Sequence, residues 1–119
     1  MAESDEVFGD LRSLLQSVSE GLVVRRDDPE EYSLDTRHLL PSGNPLFFAA
    51  VQRRKSGVSL HLMPLYLEPS LLDGIPECLR RRVSGKSCLR FRSLDEPTRQ
   101  GIRELVGSGL ELYRSKGYV

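Results

Sequence analysis

The chain has 119 residues, a mass of 13.4 kDa, and 17 basic against 17 acidic side chains. This length fits a single domain, residues 1–119, and is short for two. Hydrophobic residues at 39% and charged residues at 29% exclude a disordered chain, and no apolar run approaches the ~20 residues of a membrane-spanning helix.

The neutral total hides an uneven spread. Residues 1–40 hold ten acids against four arginines; residues 41–119 hold seven acids against thirteen bases. The ordinary reading is two solvated faces that attract each other once folded. The sharper one is a basic surface for an anionic partner. Residues 1–6 are acidic and lack the apolar stretch of a signal peptide. Cys78 and Cys88 are too few for a disulfide scaffold. Both features point to the cytoplasm and to reduced thiols.

Residues 4–20 read as an amphipathic helix. Phe8, Leu11, Leu14, Leu15, Val18 and Leu22 form its apolar stripe, Ser4 its cap and Gly21 its stop. A short strand at 22–25, a turn at Asp27-Asp28-Pro29-Glu30-Glu31 and a return strand at 32–36 follow. Residues 39–44, with Pro41, Ser42 and Gly43, read as loop. The clearest element is a hairpin. Residues 46–51 form an apolar strand, and Arg53-Arg54-Lys55-Ser56-Gly57 connects it to 58–63. There Val58, Leu60 and Leu62 face one way, and Ser59, His61 and Met63 the other.

Pro64 ends that strand. Residues 69–83 read as one or two short helical turns, and Gly85 breaks the chain. Residues 86–92 predict a further strand with Lys86, Cys88, Arg90 and Arg92 on one face. A final helix runs from about Glu96 to Lys116, with Asp95 as N-cap and Pro97 in its first turn. Gly101, Gly107 and Gly109 weaken this helix by about 1 kcal/mol each, or let it lie close to another element. Tight hairpins imply antiparallel pairing, so the predicted fold class is α+β, with the terminal helices packed on one face of a sheet.

No metal-ligand spacing stands out. His38 and His61 are 23 residues apart and the cysteines ten apart, so no metal or cofactor is expected. Ser84-Gly85-Lys86-Ser87 contains part of a phosphate-loop signature. However, Arg80 stands where that loop needs its first glycine, and a strand rather than a helix follows. Cys88 and His61 become a nucleophile and base only if their strands are neighbours, the basis of a cysteine-dependent enzyme as one alternative. The least ordinary segment is basic: Arg80, Arg81, Arg82, Lys86, Arg90 and Arg92 lie between Glu77 and Asp95 with no acid among them. An overall neutral chain with pI near 6.7 and no interleaved aromatics argues against nucleic acid as partner.

Val58-Ser59-Leu60-His61-Leu62-Met63-Pro64-Leu65-Tyr66, the Leu79–Arg82 segment and Gly85-Lys86-Ser87-Cys88-Leu89-Arg90-Phe91 resemble the YdhG-like family of small bacterial domains of unknown function. The resemblance runs from the first helix to the last. It implies an α+β domain marked by these segments. It supplies no catalytic residues. Leu89-Arg90 departs from the family's usual aromatic followed by asparagine. Some members of the wider family are described as frataxin-like iron chaperones. That alternative points to the acids of residues 3–10 and 27–31.

The expectation is therefore a non-enzymatic binding module, a monomer or weak homodimer. Its site comprises His61, Tyr66, Lys86, Ser87, Cys88, Arg90 and Arg92, and its ligand is a small anion or an acidic partner surface. Two cations flanking Cys88 predict that its thiol reacts faster than that of Cys78.

Overall fold

Alternating apolar residues and well-placed turn formers fold the middle of the chain into antiparallel hairpins. A computed structural model describes residues 2–55 and 57–119, with side chains from Asp5 onward. Helix α1 (Ala2–Ser17) leads into strands β1 (Val23–Asp27), β2 (Glu31–Leu39), β3 (Pro45–Arg54) and β4 (Gly57–Leu62). A short helix α2 (Met63–Leu67), a 3-10 turn (Pro69–Leu72) and a single helical turn α3 (Glu77–Arg80) follow. Then come β5 (Val83–Ser84), β6 (Cys88–Phe91) and the long α4 (Glu96–Ser115). The strands form one antiparallel sheet in the order β1-β2-β3-β4-β6-β5. The protein is thus an α+β domain with helices at both ends of the chain. Its accessible surface is 6828 Å², close to the roughly 6,500 Å² that the scaling law gives for its mass.

Local chemistry explains most boundaries. The Asp28 carboxylate accepts hydrogen bonds from the amides of Glu30 and Glu31 and closes the β1–β2 turn. Asp95 caps α4 by accepting from the Thr98 amide at 2.9 Å. Helix α1 starts at Ala2, so Ser4 lies inside it and is not its cap. Pro64 does not merely end β4. It sits in the first turn of α2, where its fixed φ suits a helix and no amide is needed. The hairpin turn is tighter than the sequence predicts, because β3 runs on to Arg54; Ser56 lies outside the described residues. At Gly57, φ is +147° and a Cβ would run into the Phe91 carbonyl oxygen, so the turn and the β4–β6 contact both require glycine.

Both terminal helices lie on one face of the sheet. Val7, Phe8, Leu11 and Leu15 of α1 share a core with Ile102, Leu105, Val106, Leu110 and Tyr113 of α4. The strands add Leu34, Phe48, Val51, Leu60, Leu62 and Leu89. Asp10 of α1 pairs with Arg99 of α4 at 2.8 Å. Two of the three α4 glycines are sites of close approach: a Cβ at Gly109 would stand 3.0 Å from Pro64, and one at Gly101 3.2 Å from Leu79. Gly107 faces open space.

The other face of the sheet carries no helix among the described residues. Cross-strand partners share a face, so register assigns to it Ser33, Ala50, Gln52, Arg54, Ser59, His61, Cys88 and Arg90. Register irregularities shape this face, the last of them between Asp35 and Leu39 of β2. The register slips between Val24 and Arg26, leaving Arg25 unpaired, and slips again opposite Leu34 and Asp35, leaving Phe48 unpaired. The second bulge lets Phe48 and Ala49 both be fully buried while Phe47 stays half-exposed.

Candidate functional site

The two sequence segments singled out above meet in the sheet. His61 stands directly opposite Cys88 in the β4–β6 ladder, and Ser59 opposite Arg90. The Cys88 Sγ lies 3.9 Å from the His61 Nε2. Arg90 and Arg92 line a groove beside them.

Lys86, Ser87 and Tyr66 fall elsewhere. Gly85, at φ +72°, makes a tight β5–β6 turn, so β6 begins only at Cys88 and the predicted strand alternation does not extend back to Lys86. The Lys86 ammonium lies 5.8 Å from the centre of the exposed Tyr66 ring, and neither residue lines that groove. Ser87 contributes its carbonyl to the Leu62 amide, a structural bond. Cys88 therefore has Arg90 as a cation two residues away on its own face, without the second cation the strand pattern predicts.

The groove spans β4, β6 and β5 and encloses about 350 Å³. Arg54, Arg81, Arg82, Arg90 and Arg92 line it, together with Ser59 and Ser84, and no carboxylate does. Among the described residues, Arg81, Arg82, Arg90 and Arg92 make no ion pair. Several acids of the first third of the chain pair with other arginines. Asp5 pairs with Arg53, Asp10 with Arg99, Asp27 with Arg12 and Asp28 with Arg26. Arg26 beside Asp28 holds that carboxyl below its usual range. Two of these pairs, Asp5–Arg53 and Asp10–Arg99, join the acidic first third to the basic remainder. Among the described residues no ion pair reaches the groove arginines, although the Arg82 charge adds to the Thr98 hydrogen bonds that hold the Asp95 carboxyl below its usual range. Guanidinium groups present planar forks of N–H donors that match phosphate and carboxylate oxygens two at a time. A carboxylate-free wall of them offers many such donors and no competing acceptor carboxylate.

A second depression of about 320 Å³ adjoins the first over β1–β4 and shares Arg54 with it. Its wall includes Arg25, Glu31, Phe47, Ala50, Gln52 and His61. Hydrogen bonds link its rim to the groove: Arg54 donates to Gln52 at 2.6 Å, and Gln52 donates to Glu31 at 2.8 Å. Two buried polar atoms lack any partner, the Ser33 Oγ of this wall and the Asp35 Oδ1 two residues along β2. Their residues are only 2% and 4% exposed. Burial pushes the Asp35 carboxyl above its usual range, and Arg25, 3.8 Å from its other oxygen, offsets this only in part. Burial, with the Arg54 charge, pushes the His61 imidazole below its usual range and favours its neutral form.

Among the described residues, no group of three or more histidine, cysteine, aspartate or glutamate side chains is gathered in a way that could hold a metal ion. The helix side has a depression of its own between α1 and α4, lined by Asp10, Leu14, Arg99 and Arg103. There the Asp10–Arg99 pair already satisfies its charges. No described helix is long and apolar enough to cross a membrane.

Sequence reasoning missed Arg54, Ser33 and Gln52. Arg54 sat in a segment read as a connection, and Ser33 and Gln52 join the site only through the strand order. Arg81 and Arg82 were visible as basic residues but had no assigned place. No family model matches the chain, and neither a curated protein nor a solved structure matches it.

Proposed function

We propose that the protein is a cytoplasmic, non-enzymatic binding module whose ligand is a small anion held in the arginine groove. The observation that carries this reading is the wall of five arginines with no carboxylate among its lining residues. Like charges gathered around a concavity repel one another, and an anion relieves that repulsion. The concavity favours a small ligand over a flat acidic protein surface. The likeness to YdhG-like domains is likewise proposed, on segments that adjoin each other at this groove. The iron-chaperone alternative draws less support: four acids of its two candidate segments, Asp5, Asp10, Asp27 and Asp28, are each tied to an arginine.

Calorimetry with pyrophosphate tests the reading. The full chain should bind in the micromolar to millimolar range. Arg82→Ala with Arg90→Ala should weaken binding at least tenfold, or by about 1.4 kcal/mol. Equal binding by the double variant would refute the groove as the site.

A second reading rests on the 3.9 Å approach of Cys88 Sγ to His61 Nε2. A neutral imidazole beside a thiol is the arrangement of an activated nucleophile. On this reading Cys88→Ser abolishes an activity; on the first it leaves pyrophosphate affinity within about twofold.

A further inference from the structure

The open face holds two adjoining compartments of different chemistry, and this points to a ligand with two parts. The inference rests on the anion reading above and extends it to the rest of the ligand. The arginine groove lies over β4, β6 and β5; the second depression lies over β1–β4. Their centres are about two strand spacings apart, roughly 10 Å, and Arg54 belongs to both.

The second compartment is not simply another anion site. Its floor is low, because Ser33 and Ala50 stand opposite each other in the β2–β3 ladder. The half-exposed Phe47 ring and the His61 imidazole stand beside it. The Glu31 carboxylate, an acceptor only, lies on its wall, and the Ser33 hydroxyl is buried there without a partner. A buried hydroxyl left unpaired is costly unless a ligand completes it. A flat aromatic heterocycle bearing N–H groups would lie on the alanine floor, stack against Phe47 and donate to Glu31 and Ser33. A plain sugar would leave the ring unused, and an alkyl chain would leave the polar atoms unpaired.

We propose that this trough binds a nucleoside phosphate, with its phosphate in the arginine groove and its base over Ala50 beside Phe47. The sugar then crosses the ridge at Arg54, Gln52 and Ser59. Ser59 is 1% exposed and lines the groove next to Arg90.

Calorimetry on the full chain compares adenosine and guanosine monophosphates with ribose 5-phosphate, the free nucleosides and pyrophosphate. At least one nucleotide should bind tenfold or more tightly than ribose 5-phosphate and than its own nucleoside. Phe47→Ala and, separately, Ser33→Ala should bring the nucleotide down to the ribose 5-phosphate level. Both variants should keep pyrophosphate affinity within about twofold, which also shows that they fold. If nucleotides bind no better than ribose 5-phosphate while pyrophosphate binds, the base compartment is wrong and the anion reading survives. If no phosphate compound binds, both readings fall. A single-stranded trinucleotide that binds more tightly than every mononucleotide would assign the trough to nucleic acid and overturn the proposal.

Discussion

The two faces of the same six strands obey different rules. Against the helices, cross-strand partners are apolar: Val51 with Leu60, Leu60 with Leu89, Val58 with Phe91. On the open face, the neighbouring pairs are Ala50 with His61, His61 with Cys88, and Ser59 with Arg90. The first face buries nearly everything and satisfies its polar atoms, as when Tyr113 donates to the Phe47 carbonyl at 2.7 Å. The second buries the Ser33 Oγ and the Asp35 Oδ1 without a hydrogen-bond partner and, among the described residues, has four arginines in no ion pair. Stability alone explains the first pattern. The second costs stability, and such costs concentrate where a surface has another task.

The sharpest way to break this comparison is to truncate one residue from each face. Leu60→Ala should lower unfolding free energy by about 2–5 kcal/mol, since its side chain is fully buried. Arg90→Ala should change it by less than about 0.5 kcal/mol. Denaturant titration of both variants measures the contrast. A large loss in Arg90→Ala would mean that the open face helps hold the fold.

The glycines of α4 sharpen the picture of the covered face. Gly109→Ala places a methyl group 3.0 Å from Pro64 and should destabilise by about 1–3 kcal/mol. Gly107→Ala meets nothing within 4 Å and should stabilise by about 1 kcal/mol through helix propensity. Thermal midpoints that move in the same direction would contradict the close packing of α4 on α2.

Asp35 tests the open face. Its folded carboxyl titrates above the unfolded one, chiefly because it is buried. Ionisation therefore destabilises the fold as pH rises from the ordinary carboxylate range through the raised folded value. Asp35→Asn cannot ionise. It should unfold at a higher temperature than the parent at pH 7, and the gain should vanish in acid. A loss of stability at pH 7 would mean that the Arg25 attraction outweighs burial.

The smallest effect concerns the thiols, which are both free and half-buried. Arg90 shares a face with Cys88 and its imidazole neighbour, whereas Glu77 adjoins Cys78 in α3. The rate ratio of anionic iodoacetate to neutral iodoacetamide should be severalfold higher at Cys88 than at Cys78, and pyrophosphate should reduce it. Mass-spectrometric alkylation rates on Cys78→Ser and Cys88→Ser chains decide this. Equal ratios would remove the electropositive face.

The elements most legible in the sequence are those fixed by local chemistry. Asp95 with Pro97, Asp28 with Pro29, and the alternation of Val58, Leu60 and Leu62 each carry their own instruction. The bulges at Arg25 and Phe48 do not, because they arise from how neighbouring strands align. The same limit governs the site. His61, Cys88 and Arg90 could be named from alternation within their strands. That β4 and β6 adjoin, and that Arg54, Gln52 and Ser33 complete the face, depends on a strand order that local periodicity does not encode. Lys86 leaves the alternation for a local reason: the turn at Gly85 delays the start of β6 to Cys88.

The arginine groove is the central claim, and a nitrogen–proton NMR titration with pyrophosphate tests it most directly. The account predicts saturable shifts at the amides of Gly57, Ser59, Arg82, Ser84, Arg90 and Arg92. They should weaken as ionic strength rises past about 0.1 M, where screening acts over ~10 Å. Shifts that never saturate, that scatter over lysines and arginines throughout the chain, or that persist unchanged with Arg82→Ala plus Arg90→Ala would contradict it.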